Sequence, residues 1–409
     1  MTRMKSNRAR LLFFVGSLAA LVSIRAVASP EGPGRDPASR ALSIFSDVFA
    51  LTRSNYVEPT DQKALLTGAY DGMSDALDPF SYYVAAADRA AFKAQQASGA
   101  LDPGLVIARH SGYPYVVGPL PGSPAEKAGV KPGDLVDSID GKPVRNWPLW
   151  KVRAALEGPE GTRVALAIVR GGEDKHVSLK IQRSRYEPPA PSTRWEKDVA
   201  IVRVPALTRG TAEHLRQAIE EAGKKSVTRL VIDLRGAIGG EISDAAPAAA
   251  LFTGKGLVAK AVSRKLQLPS LEASGERLWS GRTVVLIDEA TAGAAEVFAA
   301  ALHDRAEATT VGEPTVGMAI VQRLVPTESG GSLFMTVGRY VSPKGTPLGG
   351  KGLVPDDRVL SFAGDSEKEA REGRDPILER GVELARDPRA PRRVACVLPI
   401  GADRVAVIV

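Results

Sequence analysis

The sequence predicts a multi-domain α/β protein: an N-terminal helical region, a small β-barrel-like domain, then an α/β core with a mostly parallel sheet. Three observations carry that expectation. At 409 residues the chain exceeds a typical single domain. Apolar residues Leu42, Ile44, Phe45, Val48, Phe49 and Leu51 recur close to a helical period. Further on, strand-like runs at 200–204, 229–235 and 284–288 alternate with helical stretches at 211–222 and 294–303, the signature of parallel strands joined by helices.

The first 28 residues read as a secretory signal peptide. Arg3, Lys5, Arg8 and Arg10 precede the apolar run 11–24, and Ala26-Val27-Ala28 offers a small-residue cleavage site. Export to the periplasm or cell envelope is expected, with membrane contact only through this segment if it stays uncleaved. Its removal lowers the formal charge from +7 to +2, because Arg25 and those four residues leave without an acidic one. The basic balance is therefore no reason to expect a nucleic-acid partner. Cys396 is the one cysteine, so an internal disulfide is excluded. Residues 29–38, rich in Pro and Gly, read as a linker.

Residues 39–96 read as the helical region. A second helix is expected over 63–77, with Leu65, Leu66, Ala69, Tyr70 and Met73 on one face, ended by Leu77-Asp78-Pro79-Phe80-Ser81-Tyr82-Tyr83.

Residues 97–184 form the next unit. Ser123 caps a short helix that Gly129 ends. Pro132-Gly133-Asp134 turns into a strand at 135–139, and Asp140-Gly141 is a hairpin turn. Strands at 163–170 and 176–182 close the sheet around Gly171-Gly172. The run Gly122-Ser123-Pro124-Ala125-Glu126-Lys127-Ala128-Gly129 through Gly133-Asp134, with Ile139-Asp140-Gly141-Lys142-Pro143-Val144 after it, resembles a PDZ domain. That resemblance implies capture of an extended peptide by strand addition, its terminal carboxylate held on the loop Gly104, Leu105, Val106 and Ile107. Val106 stands where relatives commonly have a second Gly, which implies an altered pocket. A PDZ fold kept only as a spacer is the other reading.

Residues 185–361 form the core. Ligand sites in parallel sheets lie at the carboxyl ends of strands, and two glycine turns fall there: Arg235-Gly236-Ala237-Ile238-Gly239-Gly240 and Thr291-Ala292-Gly293-Ala294. The run from Asp288 to Glu296 resembles the nucleophile turn of C-terminal processing peptidases, serine peptidases of S41 type with a Ser/Lys dyad, in which it reads roughly G-S-A-S-A-S-E. The middle Ser corresponds to Gly293. The stretch Gly312-Glu313-Pro314-Thr315-Val316-Gly317-Met318, ending at Gln322, resembles the family's G-E-x-T-x-G-K-x-x-x-Q, so the Lys position is Met318. The 77–83 turn resembles the family's L-D-P-H-S-x-Y. The closing strands near 338–345 and 350–356 and the helix over 375–385 also resemble the family, so the likeness covers about 42–385. By the same resemblance Gly239 and the N–H of Ala294 would form the oxyanion hole, and Gln322 would be the residue that orients the Lys. No cofactor or metal is implied.

The chemistry of those two positions sets the functional expectation. Acyl transfer needs an oxygen nucleophile and a base. Glycine offers no side chain and methionine accepts no proton, so a catalytically dead relative that binds peptide or unfolded-protein C-termini is the leading reading. An active serine-type endopeptidase with a substitute site, with Thr291 and His303 the nearest candidates, is one alternative. A regulator paired with an active peptidase paralogue, or with itself as a homo-oligomer, is another. Residues 362–409 are expected to add the C-terminal helix and a tail, of which 386–409 has no assignment.

Overall fold

Asp36 accepts the N–H of Ala38 and Pro37 occupies the first turn, so the first helix, α1, runs Pro37–Asn55. None of its residues is buried, and Leu42, Ile44, Phe45, Val48 and Leu51 are exposed. Helix α2 is Gln62–Asp75. The computed structural model describes residues 36–170, 176–360, 375–387, 389, 396–399 and 405–408. The expected signal peptide, most of the expected linker, the expected Gly171-Gly172 turn and most of the tail after 386 lie outside the described residues. The chain divides into two compact units, Met1–Gly68 and Ala69–Val409.

The helical region is interrupted. Asp78 stops the helical path: its Oδ1 accepts the N–H groups of Phe80 and Ser81 at 2.9 and 2.8 Å, and its Oδ2 accepts the Ser81 hydroxyl at 2.8 Å. A carboxylate that satisfies three donors fixes an open turn. The aromatic and β-branched residues after it extend into strand β1, Tyr82–Val84. Helix α3, Arg89–Ala97, resumes the helical pattern.

The next sheet is antiparallel. It contains β2 (Leu105–His110), β3 (Tyr113–Pro119), β4 (Leu135–Ile139), β5 (Lys142–Pro143), β6 (Arg163–Val169) and β7 (His176–Gln182), with the short helix α4 (Pro124–Lys127) and helix α5 (Leu149–Leu156) inserted. Its order is β2-β3-β4-β6-β7, with β5 on β4. The expected local chemistry is present. Ser123 accepts the N–H of Glu126 at 3.1 Å, and Asp140 and Gly141 both take positive φ in the β4–β5 turn. Alternation on β2 splits its side chains: Leu105 and Ile107 enter this domain's own core, while Val106 and Ala108 join a second cluster with Ile238 and Ala292. The core of this sheet also takes Tyr82, Val84 and Phe92 from the preceding segment.

The following region builds two sheets. In chain order come β8 (Ser192–Glu196), β9 (Val199–Arg203), α6 (Thr211–Lys224), β10 (Arg229–Asp233), α7 (Ala245–Thr253), β11 (Gly256–Val262), β12 (Leu271–Ala273), β13 (Arg282–Ile287), α8 (Ala294–Ala306), β14 (Thr309–Gly312), β15 (Ile320–Pro326), β16 (Ser332–Val341), β17 (Asp357–Arg358) and α9 (Pro376–Arg386). The mostly parallel sheet has the order β17-β14-β13-β10-β9-β8, antiparallel only where edge strand β8 meets β9. The second sheet, β1-β16-β11-β12 with β15 on β16, is antiparallel. Alanines dominate the buried faces of α7 and α8. Small side chains let the two helices approach, with Phe252 and Phe298 meeting edge-on at 6.0 Å. A last hairpin pairs β18 (Cys396–Pro399) with β19 (Val405–Ile408).

Candidate active site

Strands β10 and β13 are parallel neighbours, so their carboxyl ends place the 235–240 and 288–293 turns side by side. One carboxylate ties them together. Asp288 Oδ1 accepts the N–H of Gly236 at 2.8 Å and that of Ala290 at 3.1 Å, and stands 2.9 Å from the Thr291 hydroxyl. Burial pushes its carboxyl above the usual range, and those donors pull it back. Arg235 anchors the first turn. Its guanidinium bonds both oxygens of Asp233 at 2.9 Å and both of Asp375 at 2.7 and 2.8 Å, which fixes the turn to the start of α9.

Gly293 holds φ 63° and ψ −114° at the N-terminus of α8. This is the strained conformation in which a strand-to-helix turn projects a side chain outward. A Cβ built there would meet nothing nearer than Ile242 Cδ1 at 4.0 Å. The site has room for a side chain but has none. Gly239 also takes positive φ, 98°, and is half-buried, whereas Ala294 is buried. Among the described hydrogen bonds, neither N–H has an acceptor in the chain.

Glu296 lies one turn into α8 and is fully buried. Its Oε2 accepts the Gly293 N–H at 2.8 Å, and its Oε1 accepts the Thr315 hydroxyl at 2.5 Å and the Gly317 N–H at 2.6 Å. Burial raises the carboxyl to about 7 against these donors. Glu296 thereby fastens the glycine turn to the 315–318 segment, and this places Met318 beside the site. The Met318 side chain is half-buried. It packs with Val316 and Ile320 onto a cluster of Phe80, Ala108, Val117, Ile238 and Ala292. Gln322 stands on β15 opposite Thr336 of β16, and Gln322 Nε2 and Thr336 Oγ1 are both buried without a protein partner.

The substitute pair is not assembled. Thr291 is fully buried; its hydroxyl accepts the Asp288 N–H at 3.0 Å and lies 2.9 Å from Leu234 O. His303 is half-buried and clamped. Its Nδ1 is 2.8 Å from Asp304 Oδ1 and its Nε2 is 3.2 Å from Asp356 Oδ1. The bond to Asp356 leads the effects that raise its imidazole to about 9.

The loop at the start of β2 is also partnered from within. The N–H groups of Gly104 and Leu105 both donate to Asp102 Oδ1, at 2.5 and 3.0 Å. Gly104, Leu105 and Ile107 are buried and Val106 is half-buried against the Ile238 cluster. A Cβ on Gly239 would stand 3.1 Å from Leu120 Cδ2, so the segment after β3 overhangs the first glycine turn. Beside it opens a cleft of about 310 Å³ lined by Gly118, Pro119, Arg203, Gly236, Ile238 and Ala290, among others.

Asp102, the bridging role of Asp288 and the His303 clamp emerge only from the folded chain. Asp102-Pro103-Gly104 carried a signal, because an Asp before Pro-Gly tends to bond main-chain N–H groups two and three residues on. The clamp had no local signal, because Asp356 is far along the chain.

Comparison with known proteins defines the class first: a PDZ-domain profile matches residues 115–170 and the Peptidase family S41 profile matches 198–359. The chain is 31% identical over 355 residues to a carboxy-terminal-processing protease of Bartonella bacilliformis, covering 85% of this chain and 82% of that protein. It is 30% identical over 354 residues to the carboxy-terminal processing protease CtpA of Bacillus subtilis, covering 84% and 76%. Among solved structures, a photosystem II D1 C-terminal processing protease superposes with a TM-score of 0.61 at 26% identity, covering 78% of this chain and 87% of that one. The chain belongs to the C-terminal processing peptidases of family S41.

Proposed function

We propose that this chain is a non-catalytic member of its family, exported from the cytoplasm, which binds peptide or unfolded-protein C-termini through its PDZ domain. The observation that carries the reading is Gly293. The residue sits in a turn conformation that strains any residue with a Cβ, with free space where a nucleophile would project, and glycine supplies none. Met318 supports it, because an apolar side chain packed in a hydrophobic cluster cannot take a proton. Acyl transfer without nucleophile or base has no first step.

The binding half rests on β2 standing at the edge of its sheet, where an added strand finds main-chain partners. Micromolar affinity is expected, about 8 kcal/mol of binding free energy. The test uses protein beginning at Ser29. It should leave a denatured protein substrate intact, take no label from serine-directed covalent probes, and bind peptides with free apolar C-termini better than their amides. Cleavage that disappears in Thr291→Ala protein would replace this reading with that of an active peptidase.

A further inference from the structure

The outer edge of the PDZ sheet is already in use. A peptide joining that sheet at its binding loop would pair with β2, the terminal strand. On that edge the N–H of Arg109 donates to Pro79 O at 2.8 Å. The Arg109 side chain, itself buried, reaches the same segment with Nε 3.0 Å from Asp75 Oδ2, while its Nη1 is held within its own domain, 3.1 Å from Trp147 O. The three bonds accepted by Asp78 hold the intervening turn in shape.

The side chains of this segment then pass to both faces of the edge strand. Phe80 packs with Ala108 and Val117 on one face. Tyr82 joins the buried cluster that holds Leu105, Ile107 and Val116 on the other. Phe92 continues the covering, with its ring edge-on to Trp150 of α5 at 5.7 Å.

We propose that residues 75–82 are an intramolecular strap closing the strand-addition edge of the PDZ domain, so that a peptide C-terminus enters only by displacing it. The proposal rests on the peptide-binding reading above and adds its regulation. A tethered segment competes at high effective concentration, and the apparent affinity of an incoming peptide falls in proportion to the fraction of molecules with the strap open. The strap presents a main-chain carbonyl to β2 but no terminal carboxylate. An incoming free C-terminus brings a group the strap lacks, one that can take the N–H groups of Gly104 and Leu105 over from Asp102, and that difference lets it compete.

Fluorescence anisotropy with a labelled decapeptide ending in Leu-Val, as free acid and as amide, tests this on protein beginning at Ser29. Asp78→Ala removes the acceptor that shapes the turn and should tighten binding of the free acid about tenfold, the change expected when the open fraction rises by that factor. Asp75→Asn loosens the Arg109 tie while leaving the turn intact. It should shift affinity in the same direction and serves if Asp78→Ala does not fold. In the unaltered protein, saturation with peptide should speed hydrogen exchange across 76–84. Equal affinity in all three proteins, with exchange at 76–84 unchanged by peptide, would overturn the strap. Failure of all three to bind either peptide would have a different signature: it would overturn the peptide-binding reading, and the strap as its gate would go with it.

Discussion

The adjoining turns that end β10 and β13 and the loop that begins β2 all present main-chain N–H groups at a strand terminus, and they differ in what those groups meet. At the first, the N–H groups of Gly239 and Ala294 have no acceptor among the described hydrogen bonds. At the second, the N–H groups of Gly104 and Leu105 are both taken by Asp102. The core turn keeps its donors and lacks a reacting side chain; the PDZ loop has its donors occupied by a neighbour. An absent side chain and occupied main-chain donors are therefore independent features: the first is set by the residue at 293, the second by a carboxylate two residues before Gly104.

Four experiments sharpen or break that contrast. The largest effect is expected from Arg235→Ala. It strips the guanidinium bound to both Asp233 and Asp375, leaving Asp233 with Arg203 alone at 3.2 Å, at a loss of about 3 kcal/mol. Urea unfolding should register the loss, and hydrogen exchange should rise at 234–240 but not at 102–107. Equal rises would mean the two regions share one support.

Glu296→Gln is expected to destabilise by about 2 kcal/mol, because an amide nitrogen then faces donors that met a carboxylate oxygen. It should also remove a pH dependence. The raised carboxyl, about 7 against 4.5, favours the folded protein at low pH, an advantage lost as pH rises through that window. A variant with unchanged stability would show that the carboxylate does not hold the glycine turn.

Gly293→Ser is next, at about 1 to 2 kcal/mol, since a residue with a Cβ must adopt a conformation that glycine takes freely. Alone it should have no activity. With Met318→Lys, weak hydrolysis of a denatured substrate is expected, limited by the apolar surroundings of residue 318. A folded double variant without turnover would mean that the core turn has lost more than its side chains.

The smallest effect belongs to His303. Its imidazole titrates near 9 folded against 6.5 unfolded, so its contribution is complete below pH 6.5 and lost as pH rises through 9. Partial exposure screens it. His303→Ala should flatten the stability profile across that window; an unchanged slope would exclude the clamp as its source.

Much of this arrangement was legible in the residues, and the limits have a physical pattern. Local rules worked where structure is local: Ser123 as a cap, Asp140-Gly141 as a turn, and the buried strands at 229–233 and 282–287. The glycine turns were legible because a positive φ at a strand end demands glycine. The antiparallel sheet of β11, β12, β15 and β16 was read only in part, because its strands carry half-exposed faces with weak patterning. The pairing of β1 with β16 was illegible, since nothing in Tyr82-Tyr83-Val84 names a partner so far away. The same holds for His303 and Asp356, and for Arg109 and Asp75.

That distant pairing has a consequence in time. Ser81 and Thr336, which meet where β1 joins β16, are separated by 255 residues. Contacts of such long range form late, because the loop they close costs entropy before any contact repays it. Synthesis delivers residue 81 long before residue 336. In the interval β1 has no partner strand, and nothing from β16 holds the segment beside β2 in place. The chain is most open to pairing with a foreign strand during its own birth, and the arrival of its last third ends that exposure.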